Sequence, residues 1–218
     1  MSRKRPRAAP PPPPAPRRRG RLGALLKWLF ILTIVAPFAW VLLYRFVPPP
    51  TTILMLQRAA FERAGHDYRW RSLDRISPHL VRAVIASEDA RFCSHQGFDI
   101  DAIQGALRNN ERRPNRIKGG STISQQTAKN AFLWPDRSYV RKAVEAWFTV
   151  LIETVWNKRR IMETYVNVVE WGPGVYGAQA AARHWFGKDA DDLSRLEAAR
   201  LAAILPSPRR YKAASPGP

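Results

Sequence analysis

After residue 50, apolar side chains recur at spacings near 3.6 along almost the whole chain. The pattern predicts helices over 52–64, 78–93, 101–109, 121–132, 138–156, 159–168, 178–185 and 194–205. No segment alternates cleanly enough to be a strand, and Gly, Pro and Asn fall in the gaps between helices. This is the pattern of a mostly α domain, and no internal repeat runs through it.

Two N-terminal stretches depart from that pattern. Residues 28–44 are 17 positions without a charge. Residues 22–26 extend the apolar run past Lys27, which can snorkel. The uncharged part alone spans about 26 Å as a helix, enough to cross a bilayer. A single transmembrane helix over 22–47 is expected. A cleaved signal peptide is the alternative, but its apolar core runs about 7–15 residues to a small-residue cleavage site. Here Tyr44-Arg45-Phe46 follows instead. Residues 1–21 carry arginines, a proline run over 10–14 and no acid, which predicts a disordered basic tail.

Charge then sets orientation. Of 36 Lys and Arg against 17 Asp and Glu, nine precede the span, with no acid among them, and just after it stands only Arg45. That bias keeps the N-terminus cytoplasmic and sends 48–218 across the membrane as one extracytoplasmic domain. The remainder beyond Arg45 still carries 26 cations against all 17 acids. Basic character that survives loss of the tail disfavours nucleic acid and favours an acidic surface or substrate beyond the membrane. The length of 218 residues suits one domain with appendages, and a lone Cys93 excludes an internal disulfide or a Cys-rich zinc site.

Four strings carry candidate chemistry. In Ser87-Glu88-Asp89-Ala90-Arg91-Phe92-Cys93-Ser94-His95-Gln96-Gly97, an apolar helix runs into titratable groups. The bland meaning is a solvated helix end stopped by Gly97, and Glu88, Asp89 and His95 make a poor ligand set for a metal. In Gly119-Gly120-Ser121 and the residues that follow, two glycines precede a helix start capped by Ser121, with Gln125 and Lys129 one turn apart. That is an ordinary capped helix or an anion cradle. Arg137, Arg141 and Glu145 recur every four residues with Lys142 beside them. They form an exposed ion-pair ladder or a phosphate-holding face. The last string, 162–188, reads as a helix, a Gly-Pro-Gly turn and an alanine-rich helix suited to tight packing. Tyr165, His184 and Trp185 are expected in the core or at its edge.

The order and spacing of SEDARFCSHQGFD, GGSTISQQTAKN, RKAVEAWFTVLIE, KRRIMETYVNVVEWGPGVYGAQAAARHWFGK and LSRLEAARLAAILPSP resemble the five motifs of one family over residues 75–208. That family is the family 51 glycosyltransferases of bacterial cell-wall synthesis, related to the glycosyltransferase domain of class A penicillin-binding proteins. The chain stops at Pro218, where bifunctional members continue into a transpeptidase, so the monofunctional biosynthetic type is expected. Cys93 and Trp134 stand at positions expected to vary.

The resemblance implies a mostly α, lysozyme-like catalytic domain with a small membrane-proximal lobe. It implies polymerisation of lipid II into β-1,4 glycan with inversion and release of undecaprenyl pyrophosphate. Glu88 would be the catalytic base and Glu145 the second catalytic carboxylate. Lys129, Arg137, Arg141 and Lys142 would hold phosphate, and Ser121, Thr122, Gln125 and Gln126 would hydrogen-bond substrate. No cofactor is required, with room for a divalent cation, Mg or Mn, near the pyrophosphate. Expected partners are lipid II, the growing glycan strand, membrane lipid, and cell-wall synthesis or division proteins, with no nucleic acid. Two rivals stay open: a lytic, glycan-cleaving enzyme of the same architecture, and a membrane-anchored scaffold without activity.

Overall fold

The computed structural model describes residues 19–62, 66–113, 119–136 and 138–215. The tail expected over 1–21 lies outside the described residues up to position 18. The chain forms two compact units, residues 1–37 and 38–218. The first contains α1 (Arg19–Phe30) and a π-helical turn (Ile31–Val35), so helix takes in the last three residues of the expected tail. The π turn sits just before Pro37, whose missing N–H and ring disturb the regular ladder. Helical residues Leu22–Phe46 are long and apolar enough to cross a membrane.

The second unit opens inside that apolar stretch, at Phe38 within α2 (Ala36–Phe46). Val41 and Tyr44 belong to its buried core. There follow α3 (Ile53–Glu62), α4 (Pro78–Glu88), α5 (Ile100–Arg112), α6 (Ile123–Phe132), α7 (Tyr139–Val155), α8 (Lys158–Val168), α9 (Ala178–Phe186) and α10 (Arg195–Ile204). The mostly α expectation holds, and most helix ends fall within a few residues of the periodicity. The ends have local causes. Ser77 caps α4 with Pro78 in its first turn, and Asp99, Ser138 and Asn157 cap α5, α7 and α8. A Ser194–Glu197 capping box starts α10.

α6 is the axis of the body. Eight of its ten residues are buried, and it packs against both α7 and α8, while α4 packs on α10. The sequence pattern did not predict the small sheet in the order β1 (Asp67–Tyr68), β3 (Val175–Tyr176), β2 (Glu170–Gly172). β1 runs parallel to β3, and β2 and β3 form a bulged hairpin through the Gly-Pro-Gly turn. Gly177, at φ +85°, then enters α9 so close to Asn167 that an added Cβ would stand 2.7 Å from its carbonyl oxygen.

Candidate active site

Glu88 is the last residue of α4, and the chain leaves the helix at Asp89 (φ −160°, ψ 77°). The buried Asp89 carboxylate explains the turn. It accepts from His95 Nε2 at 3.0 Å and from the Ile123 backbone N–H, at the start of α6, at 3.0 Å. His95 Nδ1 accepts from the Gly97 N–H at 3.2 Å, which fixes the ring proton on Nε2. Thr122 donates its hydroxyl to the Gly97 carbonyl at 2.6 Å. Gly97 has φ +90°, and an added Cβ would stand 2.9 Å from Thr149. The helix expected over 78–93 therefore stops at Glu88. His95 also has no nitrogen left for a metal ion shared with Glu88 and Asp89.

The second string starts its helix one residue later than expected. Thr122, not Ser121, is the cap. The Thr122 hydroxyl accepts from the Gln125 N–H at 3.2 Å, and Gln125 Oε1 accepts from the Thr122 N–H at 3.0 Å. The Thr122 hydroxyl and the Gln125 side-chain oxygen are thus committed to the helix start, while Ser121 stays exposed. One residue on, Gln126 Nε2 donates to Glu88 Oε2 at 2.8 Å.

That Glu88–Gln126 contact separates two clefts. The first, of about 640 Å³, is bounded by the end of α4, α5 and residues 119–122, with Glu88, Arg91 and Ser121 in its wall. The second, of about 610 Å³, is lined by Gln126, by four cations, Arg58, Lys129, Arg141 and Arg209, and by two acids, Asp136 and Glu170. The β2–β3 hairpin delivers Glu170 to that cleft, where it pairs with Arg58 at 3.4 Å and Arg209 at 3.9 Å.

On α7, Glu145 is not the solvated rung of a surface ladder. It is 2% exposed, with Arg141 Nη1 2.5 Å from Oε2 and Lys142 Nζ on Oε1. Arg137 lies outside the described residues. Lys129 enters the cationic cleft from α6. The residue stays open to solvent in the cleft, yet desolvation by the protein packed around it pushes its ammonium below the ordinary lysine range, as does repulsion from Arg141 and Lys142; Glu145 and Glu88 oppose the shift. A crowded ammonium of this kind gains when an anion arrives.

The family model described as "Transglycosylase" matches residues 56–216. The chain belongs to the transglycosylase family. This transglycosylase is 59% identical over 193 residues to the biosynthetic peptidoglycan transglycosylase of Caulobacter vibrioides, covering 88% of this chain and 83% of that protein. It is 54% identical to the protein of the same name from Rhodospirillum centenum, over 90% of this chain and 83% of that one. The Pseudomonas aeruginosa protein of that name is 51% identical, over 91% and 85%.

A divalent cation does not fit beside Glu145. Both carboxylate oxygens already face cations, and hard dications need several free oxygen ligands. Among the described residues, the three carboxylates near enough to share an ion, Asp189, Asp191 and Asp192, line neither cleft. Sequence reasoning missed Asp89 as the clamp between α4 and α6, and it missed the Arg58–Glu170–Arg209 group. It also left Tyr165 as core packing. Tyr165 is indeed fully buried, yet its hydroxyl lies 3.3 Å from Gln126 Oε1. The buried Asp89 carries a signal in hindsight, since an acid beside a helix end is a natural acceptor for another helix's N–H groups.

Proposed function

We propose that this transglycosylase polymerises lipid II into β-1,4-linked glycan, with inversion at the anomeric carbon and release of undecaprenyl pyrophosphate. The observation that carries the reading is the Glu88 carboxylate standing at the boundary between a polar cleft and a cationic one. In this reading the acceptor sugar presents its 4-hydroxyl to Glu88, which takes the proton as the oxygen attacks C1 of the lipid-linked donor. The C1–O bond to pyrophosphate breaks, and its electron pair leaves on the diphosphate. Lys129 and Arg141 neutralise that charge, and Arg137 and Lys142 belong to the same basic segment.

Glu145 acts on the cations. Its buried carboxylate holds Arg141, which lines the cleft, and Lys142 beside it, and keeps like charges from driving one another away. Ser121, exposed in the polar cleft, is the hydroxyl of this segment best disposed to meet sugar, whereas Gln126 is tied to Glu88, and Thr122 and Gln125 shape the helix start. The apolar span 22–46 supports a single-pass anchor in the cytoplasmic membrane, with the N-terminus inside and the clefts outside, beside a substrate whose lipid tail stays in the bilayer. No step is routed through a metal.

The test is the purified protein in detergent with labelled lipid II. Glycan polymer and free undecaprenyl pyrophosphate are the expected products, abolished in Glu88→Gln with the fold intact by circular dichroism. Wild-type turnover in Glu88→Gln, or cleavage of preformed glycan without polymerisation of lipid II, would overturn the reading.

A further inference from the structure

Gln126 has two hydrogen-bonding ends, and both are used. The Glu88 carboxylate can only accept, so the end facing it is the amide N–H, at 2.8 Å. The amide oxygen then points the other way, 3.3 Å from the Tyr165 hydroxyl, which must be the donor. Tyr165 is fully buried on α8, in a body where α6 is packed between α7 and α8. Burial, and the negative charges of Glu88 and Asp89, push its phenol well above the ordinary tyrosine range, so it keeps its proton. The chain of donors therefore runs one way only, from Tyr165 to Gln126 to Glu88 Oε2. Among the described residues, Oε1 of Glu88 has no hydrogen-bond partner.

We propose that Tyr165 is a positioning residue for Glu88, acting through Gln126. Its hydroxyl locks the orientation of the amide, the amide ties back one carboxylate oxygen, and the other oxygen is left as the atom that receives the substrate's proton. A flipped amide would turn its oxygen toward the carboxylate and push Glu88 out of place, so the lock guards the geometry of the base. Nothing in this role requires Tyr165 to touch substrate. The inference rests on the assignment of Glu88 as base.

The experiment is a double-mutant cycle on the full-length protein in detergent, with initial rates over a range of lipid II concentrations. Tyr165→Phe is expected to lower kcat by about tenfold, the scale of one lost hydrogen bond, with KM within twofold and an unchanged melting temperature. In the Gln126→Met background, which has no amide to lock, the same substitution is expected to change kcat by less than twofold. Equal losses in both backgrounds would overturn the proposal, because packing alone gives additive effects. Should Tyr165→Phe fail to fold, Gln126→Met by itself decides: wild-type kcat there overturns the proposal, and a loss at constant KM supports it. Glu88→Gln, run alongside, separates the two ideas. Full activity in that variant removes the base and this inference with it, while a dead Glu88→Gln beside a fully active Tyr165→Phe removes the inference alone.

Discussion

Arg141 reaches along one turn of α7 to bring its Nη1 within 2.5 Å of Glu145 Oε2, a carboxylate almost wholly out of solvent. Removing one partner of a buried pair strands the other, at a cost of about 3–5 kcal/mol for full loss and less when an amide replaces the acid. Glu145→Gln is therefore expected to lower the melting temperature by several degrees and polymerisation by at least tenfold. Because cations already occupy both carboxylate oxygens, treating the wild-type protein with a chelator is expected to leave its rate within twofold. A large loss restored by added Mg or Mn would show that an ion displaces Lys142 there.

Lys129 sets an alkaline limit. Its ammonium loses its proton more readily than an ordinary lysine, whose value is 10.5, so the charge proposed to steady the leaving group disappears as pH rises through a lower value. The profile of kcat/KM should fall on its basic side below that ordinary value, and Lys129→Arg, which stays charged, should lose that limb. Lys129→Ala is expected to cost about 2 kcal/mol or more of transition-state stabilisation at neutral pH, roughly thirtyfold in kcat/KM. An unchanged basic limb in Lys129→Arg would assign the titration to another group.

The two layers of the site differ in how far the sequence exposes them. Glu88, Glu145 and Lys129 stand in local strings whose helix periodicity is plain, and the structure carries each on the helix, or at the helix end, that the pattern predicts. The error at 78–93 has a tertiary cause: Asp89 leaves the helix to meet an N–H 34 residues away. The pairing of Arg58 with Glu170 joins positions 112 apart, and Tyr165 meets Gln126 across 39. No local period encodes such contacts. The sheet escaped for the same reason, since two- and three-residue strands are too short for alternation to register and exist only where distant segments meet.

The end of the apolar span is expected to stabilise the catalytic body rather than merely tether it. Trp156 Nε1 donates to the Val41 carbonyl at 2.8 Å, Arg45 donates to that of Val155 at 2.7 Å, and Arg160 donates to that of Tyr44 at 2.6 Å. Trp40 and Tyr44 meet Phe132 edge-on and stacked, at 5.3 and 5.5 Å between ring centroids. Deleting residues 1–37 should leave the melting temperature in detergent within about 2 °C. Deleting 1–47 takes Val41 and Tyr44 from the core and should lower it by roughly 6 °C or more, on the scale of about 3 kcal/mol for one large aromatic. Equal melting temperatures for the two truncations would place these contacts outside the folding unit.

Acid stability is expected to depend on Glu197, outside either cleft. The Ser194 N–H at 2.9 Å, the Ser194 hydroxyl at 2.7 Å and Lys188 at 3.1 Å all donate to its Oε2. These bonds favour the ionised form and bring its value down to about 2 from the ordinary 4.5, the backbone donor contributing most. A carboxylate lowered on folding contributes stability that is present above its unfolded value and lost as pH falls through the folded one. The stability gap between wild type and Glu197→Gln should accordingly be constant above about pH 5 and shrink between about pH 4.5 and 2. Urea unfolding at a series of pH values reads it directly. A gap independent of pH over that window would mean that the carboxylate's charge contributes nothing and that its capping bonds act as a neutral amide's would.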